Sequence, residues 1–262
     1  MGMWKTRNLM CRAALTVALL AFLPAHAEES AADIARKSRE RGALNLLGLS
    51  AQLKLTTVSK DGKRKEQVVT SSAKKIGGKT HSLVRFLLPA GVAGVAILTV
   101  EGAKGEAAEI SLYLPKLKRV RKVARTQRGQ SFMDTDFSYA DLGGTGGESD
   151  DVMQKVGESK VMDRLVWVLA GKAGPDSPYG QVKVFVDQET YVPTQAEYTD
   201  KEGKPFKVYR AAALKRFKDR VIAARASMEN LQTGSATTIE VLQLEEAQPG
   251  DEAFTERALE RG

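Results

Sequence analysis

Residues 49–56, LSAQLKLT, alternate strictly between apolar and polar side chains. Successive side chains of a β-strand point to opposite faces, so this period of two predicts a half-buried strand with Leu53 and Leu55 on its apolar side. Asp61-Gly62 follows a few residues later, and this dipeptide is typical of a hairpin turn. A second, antiparallel strand is therefore expected directly after it.

The same pattern continues to the end of the chain and predicts about ten to twelve strands joined by short links, which favours antiparallel order. Neither a long linker nor an internal repeat divides the chain. We therefore expect a mainly β fold, with one large curved antiparallel sheet in a single domain. After the first hairpin strand, the candidate strands are 65–76, 80–88, 94–101, 107–114, 117–124, 154–162, 164–171, 180–188, 190–200, 205–216, 219–230 and 236–247.

Helical signals are few. They indicate an N-terminal helix within 28–41, a short turn at 137–142 and a C-terminal piece at 251–261. Ser138 with Asp141 three residues later resembles a capping box. We expect these helices to pack against one face of the sheet and to cover its apolar side.

The first 27 residues read as a secretory signal peptide that is cleaved after Ala27. Three basic residues precede an apolar run at 13–23, and Ala-His-Ala at 25–27 is a small-x-small cleavage site. An uncleaved anchor is the alternative, but the run is about half the ~20 residues that span a bilayer. Cys11 precedes the apolar run, so it is not positioned for lipidation after cleavage.

Cleavage of the signal peptide would exclude several kinds of active site from the mature protein. The whole chain has 262 residues and a net charge of +8; removing residues 1–27, which hold three basic and no acidic side chains, leaves 235 residues and +5. Cysteine is then absent and His81 is the remaining histidine. Disulfides, thiol catalysis and zinc sites of several His or Cys ligands are excluded. We expect no cofactor and no metal.

The segment 112–142, LYLPKLKRVRKVARTQRGQSFMDTDFSYADL, is the most distinctive in the chain. It resembles the signature of the outer-membrane lipoprotein-sorting protein family, the LolA-like group of periplasmic bacterial proteins. The stretches 191–208 and 254–259 resemble later parts of the same family. The matching residues of the signature are Leu112, Tyr113, Leu114, Pro115, Lys118, Arg119, Arg121, Ser131, Phe132, Met133, Asp136, Phe137, Ser138, Tyr139, Asp141 and Leu142.

The resemblance implies an incomplete barrel wrapped around a few helices, with an apolar concave cavity for acyl chains. Residues 28–262 would form this lipid- or lipoprotein-binding domain. The function implied is that of a monomeric periplasmic carrier, which takes cargo from an inner-membrane transporter to an outer-membrane acceptor. The alternative is an accessory or sensor protein that partners an RND-type lipid exporter or an envelope regulator.

Eight apolar residues on candidate strands could line such a cavity. Trp167 lies in the apolar run 165–170, which lacks alternation and should be covered on both faces. Each of the eight could instead belong to the ordinary core, and for any single residue that is the favoured reading. The candidates are Leu53, Leu55, Leu112, Leu114, Trp167, Val182, Val184 and Val186.

The basic run 116–128 has two readings besides nucleic acid, which export and the lack of interleaved aromatic residues argue against. It could meet lipid phosphates at a membrane or an acidic partner. The favoured reading is structural: Arg119 and Arg121 share a strand face and would pair with Asp134, Asp136 and Asp141 of the following loop.

Those acids also raise the question of catalysis. The spacing lacks the glycine and distal glutamate of a calcium loop. A glycosidase needs two carboxylates at a set distance in the folded protein, which spacing in the sequence does not reveal. Asp150 and Asp151 are further candidates for such a pair. Because the catalytic inventory is thin, we expect no enzymatic activity; a hydrolase that depends on Asp136 is the weakest alternative.

Overall fold

The computed structural model of the chain describes residues 1–2, 29–102, 106, 108–143, 153–174, 177–246 and 248–261. Apart from its first two residues, the predicted signal peptide lies outside these ranges, and so do Asp150 and Asp151. None of the helices in the described ranges is long and apolar enough to cross a membrane.

Fifteen strands and two α-helices make up the described fold. The helices are α1 (Ala31–Arg39) and α2 (Glu256–Leu259). The strands are β1 (Arg41–Gly42), β2 (Asn45–Leu46), β3 (Ser50–Val58), β4 (Arg64–Ile76), β5 (Lys79–Leu88), β6 (Ala96–Val100), β7 (Glu109–Leu114), β8 (Arg119–Lys122), β9 (Gln154–Val161), β10 (Arg164–Lys172), β11 (Gln181–Asp187), β12 (Pro193–Thr199), β13 (Pro205–Phe217), β14 (Arg220–Asn230) and β15 (Ser235–Glu245).

Strands β3 to β15 form one antiparallel sheet in the order β8-β7-β6-β5-β4-β3-β15-β14-β13-β12-β11-β10-β9. The edges are β8 and β9, so the sheet is not closed into a barrel. Every pair of neighbouring strands is consecutive along the chain, except where β15 pairs with β3, and the consecutive strands β8 and β9 lie at opposite edges. This confirms the predicted antiparallel sheet: each of its thirteen strands overlaps the first hairpin strand or one of the twelve candidate ranges, although the expected count was ten to twelve.

The period of two is confirmed in β3. Leu53 and Leu55 are fully buried, whereas Lys54 between them is half-buried on the other face. In β10, Leu169 belongs to the main core, and Val166 and Val168 form a separate cluster with Phe185. Burial of both faces is thus confirmed for 166–169, whereas Leu165 at the start of the predicted run is 55% exposed.

The sheet curves around one core. Leu112 of β7 and Leu169 of β10 lie near opposite edges of the strand order, yet both belong to the same cluster of buried residues. Ile34 of α1 is part of that cluster, so the N-terminal helix lies inside the curve. Ser30 caps this helix by accepting a hydrogen bond from the backbone NH of Asp33 at 3.1 Å.

The expectation that all helices cover one face is wrong for α2. Leu259 of α2 packs against Ala96 and Leu98 of β6 in a second cluster. Ile97 between them points into the main core. Because neighbouring strand residues face opposite sides, α1 and α2 lie on opposite faces of the sheet.

Candidate functional site

The distinctive segment first forms a strand pair at the edge of the sheet. β7 ends at Leu114, Pro115 opens a short 3-10 turn over Pro115–Leu117, and Lys118 adopts a left-handed conformation with φ of 48°. β8 then returns antiparallel to β7. The register places Arg121 opposite Leu112, so the arginines occupy the concave-side face of this edge strand.

Residues 131–142, here called the motif loop, then fold into the interior. Phe132 is fully buried, and its ring centroid lies 5.5 Å from that of Phe86 and 6.1 Å from that of Tyr139. Phe137 and Leu142 belong to the same core. Ser131 is exposed, and its hydroxyl donates to the carbonyl oxygen of Thr135 at 2.6 Å, which closes the tight turn of the loop.

Asp136 fastens the motif loop to β15. Its side chain accepts hydrogen bonds from the hydroxyls of Ser235 and Thr237, the latter at 2.7 Å. The backbone NH of Asp136 donates in turn to the Thr237 hydroxyl at 2.9 Å. Both carboxylate oxygens of this buried residue are therefore satisfied.

Asp141 fastens the other end of the loop to β13. Its side chain accepts from the backbone NH of Ser138 at 2.6 Å, which confirms one half of the capping box. It also accepts from the hydroxyls of Ser138 and Tyr179, both at 2.8 Å. The buried Lys207 ammonium lies 3.8 Å away. Burial, followed by the negative charge of Asp141, raises the pKa of Tyr179 well above its usual value.

These partners correct the predicted arginine pairing. Arg119 and Arg121 are exposed, and within the described ranges neither forms an ion pair with an acid of the loop. Asp134 instead pairs with Lys65 at 2.7 Å. The sequence correctly placed both arginines on one face, but neutral hydroxyls from distant strands and one buried lysine hold the loop.

A pocket that is partly open to solvent lies between the N-terminal segment and strands β12 to β14. Its volume is about 70 Å³. Most of its wall is apolar, and Asp141 connects it to the motif loop. The lining residues are Ser38, Arg39, Gly42, Ala43, Leu44, Phe137, Asp141, Pro193, Ala196, Tyr198, Tyr209 and Met228.

Two hydroxyls on this wall are buried without a hydrogen-bond partner among the described residues, those of Ser38 on α1 and Tyr209 on β13. Ser38 and Tyr209 are only 1% and 6% exposed. Burial raises the pKa of Tyr209, so its hydroxyl stays protonated and available as a donor. An apolar pocket with buried polar groups that still need partners is the usual form of a ligand site.

None of the eight predicted cavity residues lines this pocket. Six are fully buried in the main core: Leu53, Leu55, Leu112, Val182, Val184 and Val186. Leu114 and Trp167 are partly buried against the same core. Their role in holding an acyl chain stays a prediction.

No sequence pattern singles out Ser38 or Tyr209, because each occupies an ordinary place in a helix or an alternating strand. Lys207 was missed for the same reason: nothing local shows that its strand position faces inward. Within the described part of the chain, no three His, Cys, Asp or Glu side chains are grouped as metal ligands would be.

Comparisons with known proteins agree with this architecture. A structure described as an outer membrane lipoprotein-sorting protein domain from Vibrio parahaemolyticus is 26% identical, with a TM-score of 0.76 over 88% of this chain and 98% of that one. A protein from Desulfovibrio piger, from a domain family of unknown function, is 21% identical, with a TM-score of 0.77 over 87% and 97%.

A LolA superfamily protein from Nitrosomonas europaea is 17% identical, with a TM-score of 0.66 over 87% of this chain and 98% of that one. No protein with a curated description matches the sequence. A family model described as "Uncharacterized protein" matches residues 78–261, well over half of the chain. The chain therefore belongs to the family that this model describes, and it has the fold of the LolA superfamily of outer-membrane lipoprotein-sorting domains.

Proposed function

We propose that this protein is a non-enzymatic periplasmic carrier. It binds the acyl chains of lipids or lipidated proteins in its concave interior and delivers them toward the outer membrane. The observation that carries the proposal is the apolar interior pocket with two unpaired hydroxyls, those of Ser38 and Tyr209, inside an open sheet. The lipoprotein-sorting description of the Vibrio parahaemolyticus relative supports the same reading.

Burial of the acyl chain would supply the binding affinity. Each methylene moved from water into the apolar interior contributes about 0.8 kcal/mol. At about 70 Å³ the pocket is smaller than the ~300–1,000 Å³ of typical ligand sites, so a chain must enlarge it as it enters. The wall formed by α1, Ala43 and Leu44 lies outside the thirteen-stranded sheet, so displacing it would leave the pairing of those strands intact.

The two hydroxyls suit one part of such a cargo. An acyl chain joined to glycerol or to a protein carries an ester or amide carbonyl, whose oxygen accepts hydrogen bonds. The hydroxyls of Ser38 and Tyr209 are donors that would otherwise be buried at a cost of about 1–3 kcal/mol each. A carbonyl oxygen of such a cargo would be an acceptor for either hydroxyl.

Filling the pocket tests this function. Ala196→Leu adds a branched side chain to the pocket wall, whereas Glu197→Leu, its neighbour on β12, adds a leucine on the other face. Binding of a fluorescent fatty-acyl probe should weaken at least about tenfold in Ala196→Leu and stay within about twofold in Glu197→Leu. Thermal unfolding checks that both variants fold. Equal binding of the probe by both variants would mean that the acyl chain does not occupy this pocket.

The accessory reading is the second candidate, and one observation favours it. The interior is largely occupied by the protein's own α1 and motif loop, as in a protein that carries nothing. An accessory protein would bind no acyl probe and would hold a protein partner tightly instead. Delivery in the cell would require an inner-membrane transporter and an outer-membrane acceptor. Release of bound acyl probe to lipid vesicles is expected of a carrier and not of an accessory protein, so it separates the two readings further.

A further inference from the structure

Four adjacent strands bring two loops together at one end of the sheet. β5 ends at Leu88 and β6 begins at Ala96, while β7 ends at Leu114 and β8 begins at Arg119. Because the four strands are antiparallel neighbours, the loop 89–95 and the turn 115–118 lie side by side. A methyl group added at Gly94 would lie 3.3 Å from Pro115, which shows that the two loops touch.

This end exposes large apolar side chains to solvent. Leu117 is 62% exposed within the turn 115–118, and Leu88 is 56% exposed beside the loop 89–95. Leu87 is also exposed. Protruding leucines offer no cleft for a partner's side chain, but they can enter an apolar layer.

Cations surround these leucines. Lys116, Lys118, Arg119 and Arg121 are exposed and form no ion pair among the described residues. The segments 82–100 and 110–133, which include both loops of this end, contain no acidic residue. Charged residues on an edge strand also discourage strand pairing, but that purpose does not account for cations and a leucine in the turn itself.

We propose that this end of the sheet, here called the basic end, docks the protein on the surface of an anionic lipid bilayer. The leucines would enter the headgroup boundary while the cations meet the lipid phosphates. An acidic protein would match the charge but not the protruding leucines. This docking goes beyond the proposed carriage and does not depend on it, because the surface lies outside the interior pocket.

Vesicle flotation tests the electrostatic part. We expect the protein to float with vesicles of phosphatidylglycerol and phosphatidylcholine, and much less with phosphatidylcholine alone. Each Lys or Arg near an anionic surface contributes about fivefold in affinity, so the triple variant Lys116→Gln/Arg119→Gln/Arg121→Gln should bind about 100-fold more weakly. The control Lys160→Gln/Lys215→Gln/Arg216→Gln has the same net charge and changes exposed residues toward the other end of the sheet; it should lose at most a few-fold.

The apolar part is tested by Leu117→Asp, which should weaken binding about tenfold or more. Leu165→Asp is the matched control, since Leu165 is 55% exposed at the opposite end, beside the β9–β10 turn. All variants keep the same N-terminus, so residues 13–23 contribute equally. Failure to bind anionic vesicles, equal losses in the paired variants, or capture of an acidic protein without vesicle binding would each overturn the proposal.

Discussion

The motif loop and the pocket wall are neighbours in the same buried interior, yet they treat polar groups in opposite ways. In the motif loop, the carboxylates of Asp136 and Asp141 are held by hydroxyl and backbone donors. On the pocket wall, the hydroxyls of Ser38 and Tyr209 have no partner in the described structure. The loop is thus fastened by satisfied hydrogen bonds, whereas the unpaired hydroxyls of the pocket wall are the donors that the proposed carriage would use.

The largest loss of stability is expected in the motif loop, where the buried carboxylates are hydrogen-bonded. Asp141→Ala leaves the Lys207 ammonium buried without a compensating charge and removes the acceptor of Tyr179 and Ser138. Loss of one partner of a buried pair costs about 3–5 kcal/mol, measured here as a fall in unfolding free energy in urea. Asp134→Ala in the same loop is the control: its side chain is 85% exposed, so the loss should stay below about 1 kcal/mol.

Replacing Tyr179 beside the motif loop and Tyr209 on the pocket wall, each by phenylalanine, compares the two regions most directly. Tyr179→Phe removes a hydroxyl that donates to Asp141 and should lower the free energy of unfolding by about 1–3 kcal/mol. Tyr209→Phe removes a hydroxyl without a partner and should leave stability unchanged or raise it. Urea unfolding measures both. A loss in Tyr209→Phe as large as that in Tyr179→Phe would mean that both hydroxyls are satisfied.

Alkaline pH should weaken the fold through the same tyrosines. Burial raises the pKa of both Tyr179 and Tyr209 in the folded state. Their stabilising contribution is therefore complete below the unfolded pKa of about 10 and is lost as pH rises above it. Between about pH 10 and 11, the wild type should lose up to about 1.4 kcal/mol more than Tyr209→Phe. Parallel stability curves for the two proteins would contradict the burial of this hydroxyl.

The smallest effect is expected at the edge strand. Arg119→Gln/Arg121→Gln should change the free energy of unfolding by less than about 0.5 kcal/mol, because both side chains are exposed and hold no acid of the loop. Thermal unfolding is sufficient to measure it. A loss of several kcal/mol would restore the arginine pairing that the sequence suggested.

Local pattern predicted the sheet well because the period of two is set by each strand alone. It placed Leu53 and Leu55 inside, and it recognised the doubly buried strand around Trp167 from its lack of alternation. It could not find the partners of Asp136, since Thr237 lies 101 residues away and is brought close only by the pairing of β15 with β3. Ser38 and Tyr209 were invisible for a related reason: an unpaired hydroxyl is a property of the packed interior.

The central claim is that the interior receives an acyl chain, and native mass spectrometry of the exported protein, purified without detergent, tests it most directly. Lipid extraction from the same sample identifies any bound molecule. We predict about one acyl-bearing lipid or lipopeptide per chain, and its loss in Ala196→Leu but not in Glu197→Leu. A protein that is empty as purified and still empty after incubation with envelope lipids would contradict carriage and favour the accessory role.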